Sequence, residues 1–163
     1  MSKVKTLKEV LRATSAARKA GKKIVATNGC FDLMHVGHIR SFEAAKKLGD
    51  ILIVGINSDA SVRTNKGDLR PIISERDRAE VVAALRMVDH VFIFPEKTPF
   101  SWIKKMRPDI HVKGIDTKKH PDFSAQKRTL AKAGAKFVLL PLVKGKSTTK
   151  IIEKIVRSHS KNR

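Results

Sequence analysis

Five short apolar runs, each parted from the next by a helix-like stretch, constrain this chain more than any other feature. They fall at 23–29, 50–59, 90–94, 110–114 and 136–141. The second, DILIVGINSD, is apolar without alternation, as expected of a strand covered on both faces. Helices are expected over about 6–20, 39–49, 74–88, 98–109, 122–134 and 147–158. Gly21, Gly49 and Gly134 supply stops, and Ser74 and Thr98 supply starts, with Pro99 at a first helical position. Residues 60–72, punctuated by Gly67 and Pro71, read as loop. This alternation predicts a single α/β, Rossmann-like domain over 1–163: a five-stranded parallel sheet with helices on both faces. Functional groups in such folds gather at the carboxyl ends of the strands, near the point where strand order reverses.

The segments that follow the expected strands carry the chemistry. Residues 27–38, TNGCFDLMHVGH, run from a strand through a loop into a helix that begins with His35 and His38 around Gly37. Free N–H groups and the positive end of a helix dipole already favour phosphate at such a junction. In isolation each histidine would more often be an ordinary surface or core residue. Asn28, Gly29 and Asp32 form the loop before the helix. Gly29 permits a tight turn close to a phosphate, and Asp32 could orient a histidine, hold magnesium through water, or form an Asx turn. Ser147, Thr148 and Thr149 open the last helix behind Gly145 and Lys146, as anion ligands or as plain caps. Lys113 ends a buried-looking strand beside Gly114, where an amine needs a cleft or a partner such as Asp116. Cys30 reads most simply as a small buried residue.

Composition narrows the classes. Cys30 is the single cysteine of 163 residues, so no intrachain disulfide and no Cys zinc cluster is expected, and a reducing, cytoplasmic setting fits. No run of apolar residues reaches the length of a membrane span, so no membrane partner is expected. The net charge of +20 is uneven: +7 over 1–23, zero over 24–102, +6 over 103–132 and +6 over 144–163, with Lys136 making the remainder. A basic surface concentrates anions of any kind. Tyrosine is absent, and a single-strand binder wants aromatic platforms, so nucleic acid is the disfavoured partner and a small polyphosphate the favoured one.

Together the segments KIVATNGCFDLMHVGH, AAKKLGD, IVGINSDASV, GDLRPI, ERDRAEVVAAL, VDHVFIF, RPDIHVKGID and GKSTTKII resemble the cytidylyltransferase-like family of nucleotidyltransferases, in the family's order. The likeness lies nearest to members that make ADP-heptose from heptose 1-phosphate and ATP. It implies that a phosphate oxygen attacks the α-phosphorus of a nucleoside triphosphate and pyrophosphate leaves. It also implies that His35, His38, Lys46 and Lys113 serve the reacting phosphates. By the same resemblance Asn28, Gly29, Cys30, Phe31, Asp32, Gly37, Asn57, Asp59, Arg78, Gly114, Asp116, Ser147, Thr148 and Thr149 line the nucleotide. Magnesium is expected with the triphosphate, and a homodimer is expected from relatives. After VKG the family usually has a second glycine and an aromatic; here Ile115, Asp116 and Thr117 stand, in a stretch that shapes the acceptor site. Other acceptors, such as glycerol 3-phosphate with CTP or a flavin phosphate, remain alternatives.

Overall fold

The computed structural model describes residues 2–160; Met1 and 161–163 of the expected domain lie outside them. The chain runs α1 (Leu7–Lys19), β1 (Ile24–Gly29), α2 (Val36–Lys46), β2 (Ile51–Asn57), α3 (Asp59–Lys66) and α4 (Glu75–Ala83). It continues β3 (His90–Phe94), α5 (Phe100–Met106), β4 (Ile110–Gly114), α6 (Phe123–Ala133), β5 (Lys136–Leu140) and α7 (Thr148–Ser160). All neighbouring strands are parallel, in the order β3-β2-β1-β4-β5. Strand order therefore reverses between β1 and β4, and a cleft is expected beyond their carboxyl ends.

Strand alternation splits the core in two. Ile24, Ala26, Ile53, Phe92 and Phe94 face one side, where α1, α5 and α6 cover them with Val10, Trp102, Ile103, Met106 and Leu130. Val25, Leu52, Val54, Ile56 and Val91 face the other, against Phe42 and Ala45 of α2 and Ala79 and Val82 of α4. Each such side chain contributes roughly 1.5–3 kcal/mol by leaving water. Phe92, fully buried against Phe94 and Trp102, is a change the core tolerates poorly; truncation to alanine costs roughly 3–5 kcal/mol.

Local chemistry sets the ends. Thr6 and Glu9 form a reciprocal capping box on α1, and Ser74 caps α4 through the Asp77 N–H. The stretch expected as loop over 60–72 instead opens with α3, because the Ser58 hydroxyl caps it by accepting from the Ser61 N–H. The second helix starts at Val36, three residues ahead of the expected 39, because His35 itself is its cap. Pro99 is the cap residue of α5 and not its first helical residue. Among the described residues no helix is long and apolar enough to cross a membrane.

Candidate active site

Both histidines stand at the carboxyl end of β1, at the start of α2. His35 Nδ1 accepts the Gly37 N–H at 3.1 Å, and His38 Nδ1 accepts the His35 N–H at 3.4 Å. With both Nδ1 atoms acting as acceptors, each neutral ring carries its proton on Nε2. The rings stack 3.9 Å apart. Burial, then the neighbouring His35, pulls the His38 pKa down to about 4. Desolvation also lowers His35, with Lys146 pushing the same way. At neutral pH the pair is thus two uncharged Nε2–H donors at a helix N-terminus. Such donors suit an oxyanion whose charge grows during reaction.

Glycines fit around these rings. A Cβ on Gly37 would lie 2.8 Å from His35 Cε1, so the glycine makes room for the imidazole more than for a ligand. A Cβ on Gly29 would meet the Phe31 ring at 2.9 Å. Phe31, with φ of 48°, turns back over Gly29 and sets its ring edge against His38 and beside Phe42. Phe31 thus packs against the His38 ring.

The last helix arrives at the same place. Thr148 Oγ1 donates to the Leu33 carbonyl at 3.3 Å, which ties the start of α7 to the loop before His35. Lys146 Cβ lies 3.6 Å from the position a Gly37 Cβ would take. The Ser147 hydroxyl accepts the Lys150 N–H as a cap, and Thr149 is exposed. The histidines and the start of α7 therefore lie side by side.

Lys113 enters from β4, opposite the end of β1, and donates to the Asn28 carbonyl at 2.9 Å. Desolvation lowers its pKa, against the pull of Cys30 and Asp116. Asn28 Oδ1 is buried without a hydrogen-bond partner. Asp116 Oδ1 would lie only 2.5 Å from a Cβ on Gly114, so Gly114 lets this carboxylate fold back beside the strand end. Burial raises the Cys30 thiol although Lys66, Arg78, Lys113 and Arg70 all oppose it. Four cations thus converge on the end of β1. Lys66 and Arg70 were not expected there, and nothing in their spacing marks them.

Several expected ligands prove to be braces. Lys46 is a correction: its Nζ binds the Asp50 carbonyl and Asp89 Oδ2, both at 2.6 Å. Asp89 precedes β3 and also accepts the Leu52 N–H at the amino end of β2. Eleven residues of α2 carry Lys46 from the histidine end of the sheet to the opposite end, about 16 Å away. Asp32 is buried and accepts from Arg70 Nε and the Ile72 and Ile73 N–H groups, so it orients neither histidine. Desolvation pushes its pKa up, but those bonds outweigh it and hold the carboxyl below the usual range. Arg78 is fully buried, and its guanidinium donates to the carbonyls of Ile73, Cys30 and Asn57 and to Asp59 Oδ1. It clamps three loops and has little left for a nucleotide. Asn57 is buried too, its amide donating to Ser61 Oγ at 2.9 Å. Asp59, partly exposed, keeps one oxygen on Arg78.

Paired neutral imidazoles at a helix start, at the switch point of a parallel sheet and beside a second helix start, make an arrangement suited to phosphate. The chain belongs to the cytidylyltransferase-like family, whose model matches residues 26–154. It is 45% identical over 155 residues to the bifunctional protein HldE of Syntrophotalea carbinolica, and 48% identical over 153 residues to that of Nitratiruptor sp.. These alignments cover 95% and 93% of this chain but 31% and 32% of the relatives, so the chain spans about a third of their length. A lipopolysaccharide core biosynthesis protein from Thermoplasma volcanium superposes with a TM-score of 0.64 and 29% identity, covering 77% of this chain and all of that one. The pantoate-beta-alanine ligase of Francisella tularensis, at 15% identity and TM-score 0.64, shares the fold; the match covers 96% of this chain and 80% of the ligase.

Proposed function

We propose that this chain transfers AMP from ATP to a sugar 1-phosphate, heptose 1-phosphate being the leading acceptor, to give ADP-sugar and pyrophosphate. The observation that carries the reading is the pair of Nε2–H donors on His35 and His38, bordered by the start of α7. The likeness to a lipopolysaccharide core biosynthesis protein supports a sugar acceptor for a surface-polysaccharide precursor.

A phosphate oxygen of the acceptor forms a bond to the α-phosphorus, and the bond from that phosphorus to the bridging oxygen breaks. The electron pair leaves on pyrophosphate. The attacking phosphate is already ionised at neutral pH, so positioning and charge stabilisation do the work and no strong base is needed. His35 and His38 donate to oxygens whose charge rises, Lys113 and Lys66 bring positive charge to the end of β1, and Arg78 and Asp32 hold the loops that place them.

Magnesium fits as an ion carried by the triphosphate. Among the described residues no cluster of three or more His, Cys, Asp or Glu side chains could cage it, and Asp32 is engaged by protein donors. Phosphate oxygens and water would hold it, as is usual for this ion, and it would offset charge on the leaving group. We infer a cytoplasmic homodimer as the working form.

Incubation with ATP, magnesium and a panel of sugar 1-phosphates, glycerol 3-phosphate and flavin phosphate tests the reading. Pyrophosphate release that depends on a sugar 1-phosphate supports it; release only with another acceptor or with CTP reassigns the substrate.

A further inference from the structure

Two of the three basic stretches of the sequence, 1–23 and 103–132, lie far apart in the chain, yet the fold sets their helices side by side. Helices α1, α5 and α6 cover the same side of the sheet. Arg18 Nη2 on α1 donates to the Met106 and Arg107 carbonyls at 3.3 and 2.7 Å, and Arg107 Nε reaches the Ala133 carbonyl of α6 at 3.5 Å. The three helices of this layer carry nine basic side chains against Glu9 alone, net +8. The stretch 24–102, which supplies the opposite layer α2, α3 and α4, sums to zero.

The charges point outward. Lys8 and Lys19 on α1, Lys104 and Lys105 on α5, and Lys127 and Lys132 on α6 are all exposed. None of the six makes an ion pair among the described residues. Two of the few carboxylates nearby are spent on backbone: Glu9 accepts the Thr6 N–H and Asp109 the Ile24 N–H. Packed helices lie about 8–10 Å apart. That is close to one Debye length at physiological salt, so the lysines of the three helices act as one field.

We propose that the α1–α5–α6 face docks on the surface of an anionic lipid bilayer. Three helices side by side present a broad layer, which matches a plane better than a groove. Exposed Arg12 and Arg128 share the face with these lysines, and both kinds of cation suit diffuse headgroup charge. Trp102 is fully buried, Phe123 packs on Phe137 and Phe100 is half-buried, so the layer offers little stacking surface to nucleic acid bases. Docked this way, the molecule keeps the histidine cleft, at the strand ends, open to soluble substrates. The expectation of no membrane partner rested on the lack of a spanning segment, and a peripheral contact needs none.

Co-sedimentation of the full chain with vesicles tests this. At about 0.15 M salt the protein binds phosphatidylcholine vesicles containing one third phosphatidylglycerol and leaves pure phosphatidylcholine vesicles in solution. At roughly fivefold per surface lysine, the Lys104→Gln, Lys105→Gln, Lys127→Gln triple variant binds about a hundredfold more weakly. Its circular dichroism and melting stay as in the parent, since all three side chains are exposed. Raising salt to about 0.5 M releases the parent protein as well. Equal binding to neutral vesicles, undiminished binding by a folded triple variant, or binding indifferent to salt overturns the proposal. RNA at equal phosphate concentration that strips the protein from vesicles also overturns it, and assigns the face to nucleic acid.

Discussion

His35 and His38 stack at 3.9 Å while each Nδ1 is occupied by a backbone N–H of the helix they begin. The stack keeps both rings uncharged, because a proton on one raises the cost of a proton on the other and burial raises it further. Folding depresses the His38 pKa from its ordinary 6.5 to about 4. Protonation therefore lags as pH falls, and the neutral donor persists throughout the range above about 5. Histidine Cε1–H resonances followed by NMR in the free protein should show His38 titrating near 4 and His35 below 6.5. A His38 midpoint at or above 6.5 contradicts this electrostatic picture.

Lys46 tests the placement of the site. It pairs with Asp89 at the far end of the sheet, and both side chains are about a third exposed. Lys46→Ala should leave kcat and KM within about twofold of the parent and lower stability by no more than about 1 kcal/mol. Steady-state kinetics and urea unfolding check both. A large loss of turnover with stability unchanged would return Lys46 to the reacting phosphates.

Gly37→Ala probes the fit of the pair. Its Cβ would press on His35 Cε1 and Nδ1 at 2.8 and 2.9 Å, moving the ring off the Gly37 N–H. The expected result is a fall in kcat of about a hundredfold, the scale of a misplaced catalytic group. The melting temperature should barely move, since the change sits in a surface-facing first turn. Parent-like turnover means that His35 is not held as described.

His111 gives the fold part of its acid sensitivity. It is fully buried, and desolvation, then Lys113, pulls its pKa down to about 3. Between 6.5 and that value the unfolded chain takes up a proton that the folded one refuses. Stability is thus complete above 6.5 and declines as pH falls toward 3. His111→Leu should remove roughly 3–5 kcal/mol of that dependence, read as a flatter plot of unfolding free energy against pH. An unchanged slope places the sensitivity elsewhere.

The fold was largely legible because runs such as ILIV at 51–54 and VFIF at 91–94 leave few other ways to bury themselves. The histidine junction was legible for a similar reason: strand, glycine loop and helix cap are all local. Roles that depend on distant partners were not. Arg78 and Asp32 look like ligands in the sequence, and only folding reveals that their partners are carbonyls, N–H groups and Arg70 from other loops. Lys46 is a different failure. Eleven helical residues at 1.5 Å each already carry it away from His35, so the rise alone could have excluded it. Helix α3 is hard to see in the sequence because it is short, starts directly after a strand behind the Ser58 cap, and runs into a stretch punctuated by Gly67 and Pro71.

The two imidazoles and the start of α7 are expected to act on one triphosphate. Pyrophosphate release from ATP and heptose 1-phosphate, compared among the parent, His38→Ala and Thr148→Val, reads this most directly. Loss of one preorganised donor predicts a drop of roughly a hundredfold or more for His38→Ala in a folded protein. A smaller drop is expected for Thr148→Val, whose hydroxyl anchors α7 to Leu33. Parent-like release by His38→Ala would contradict the account.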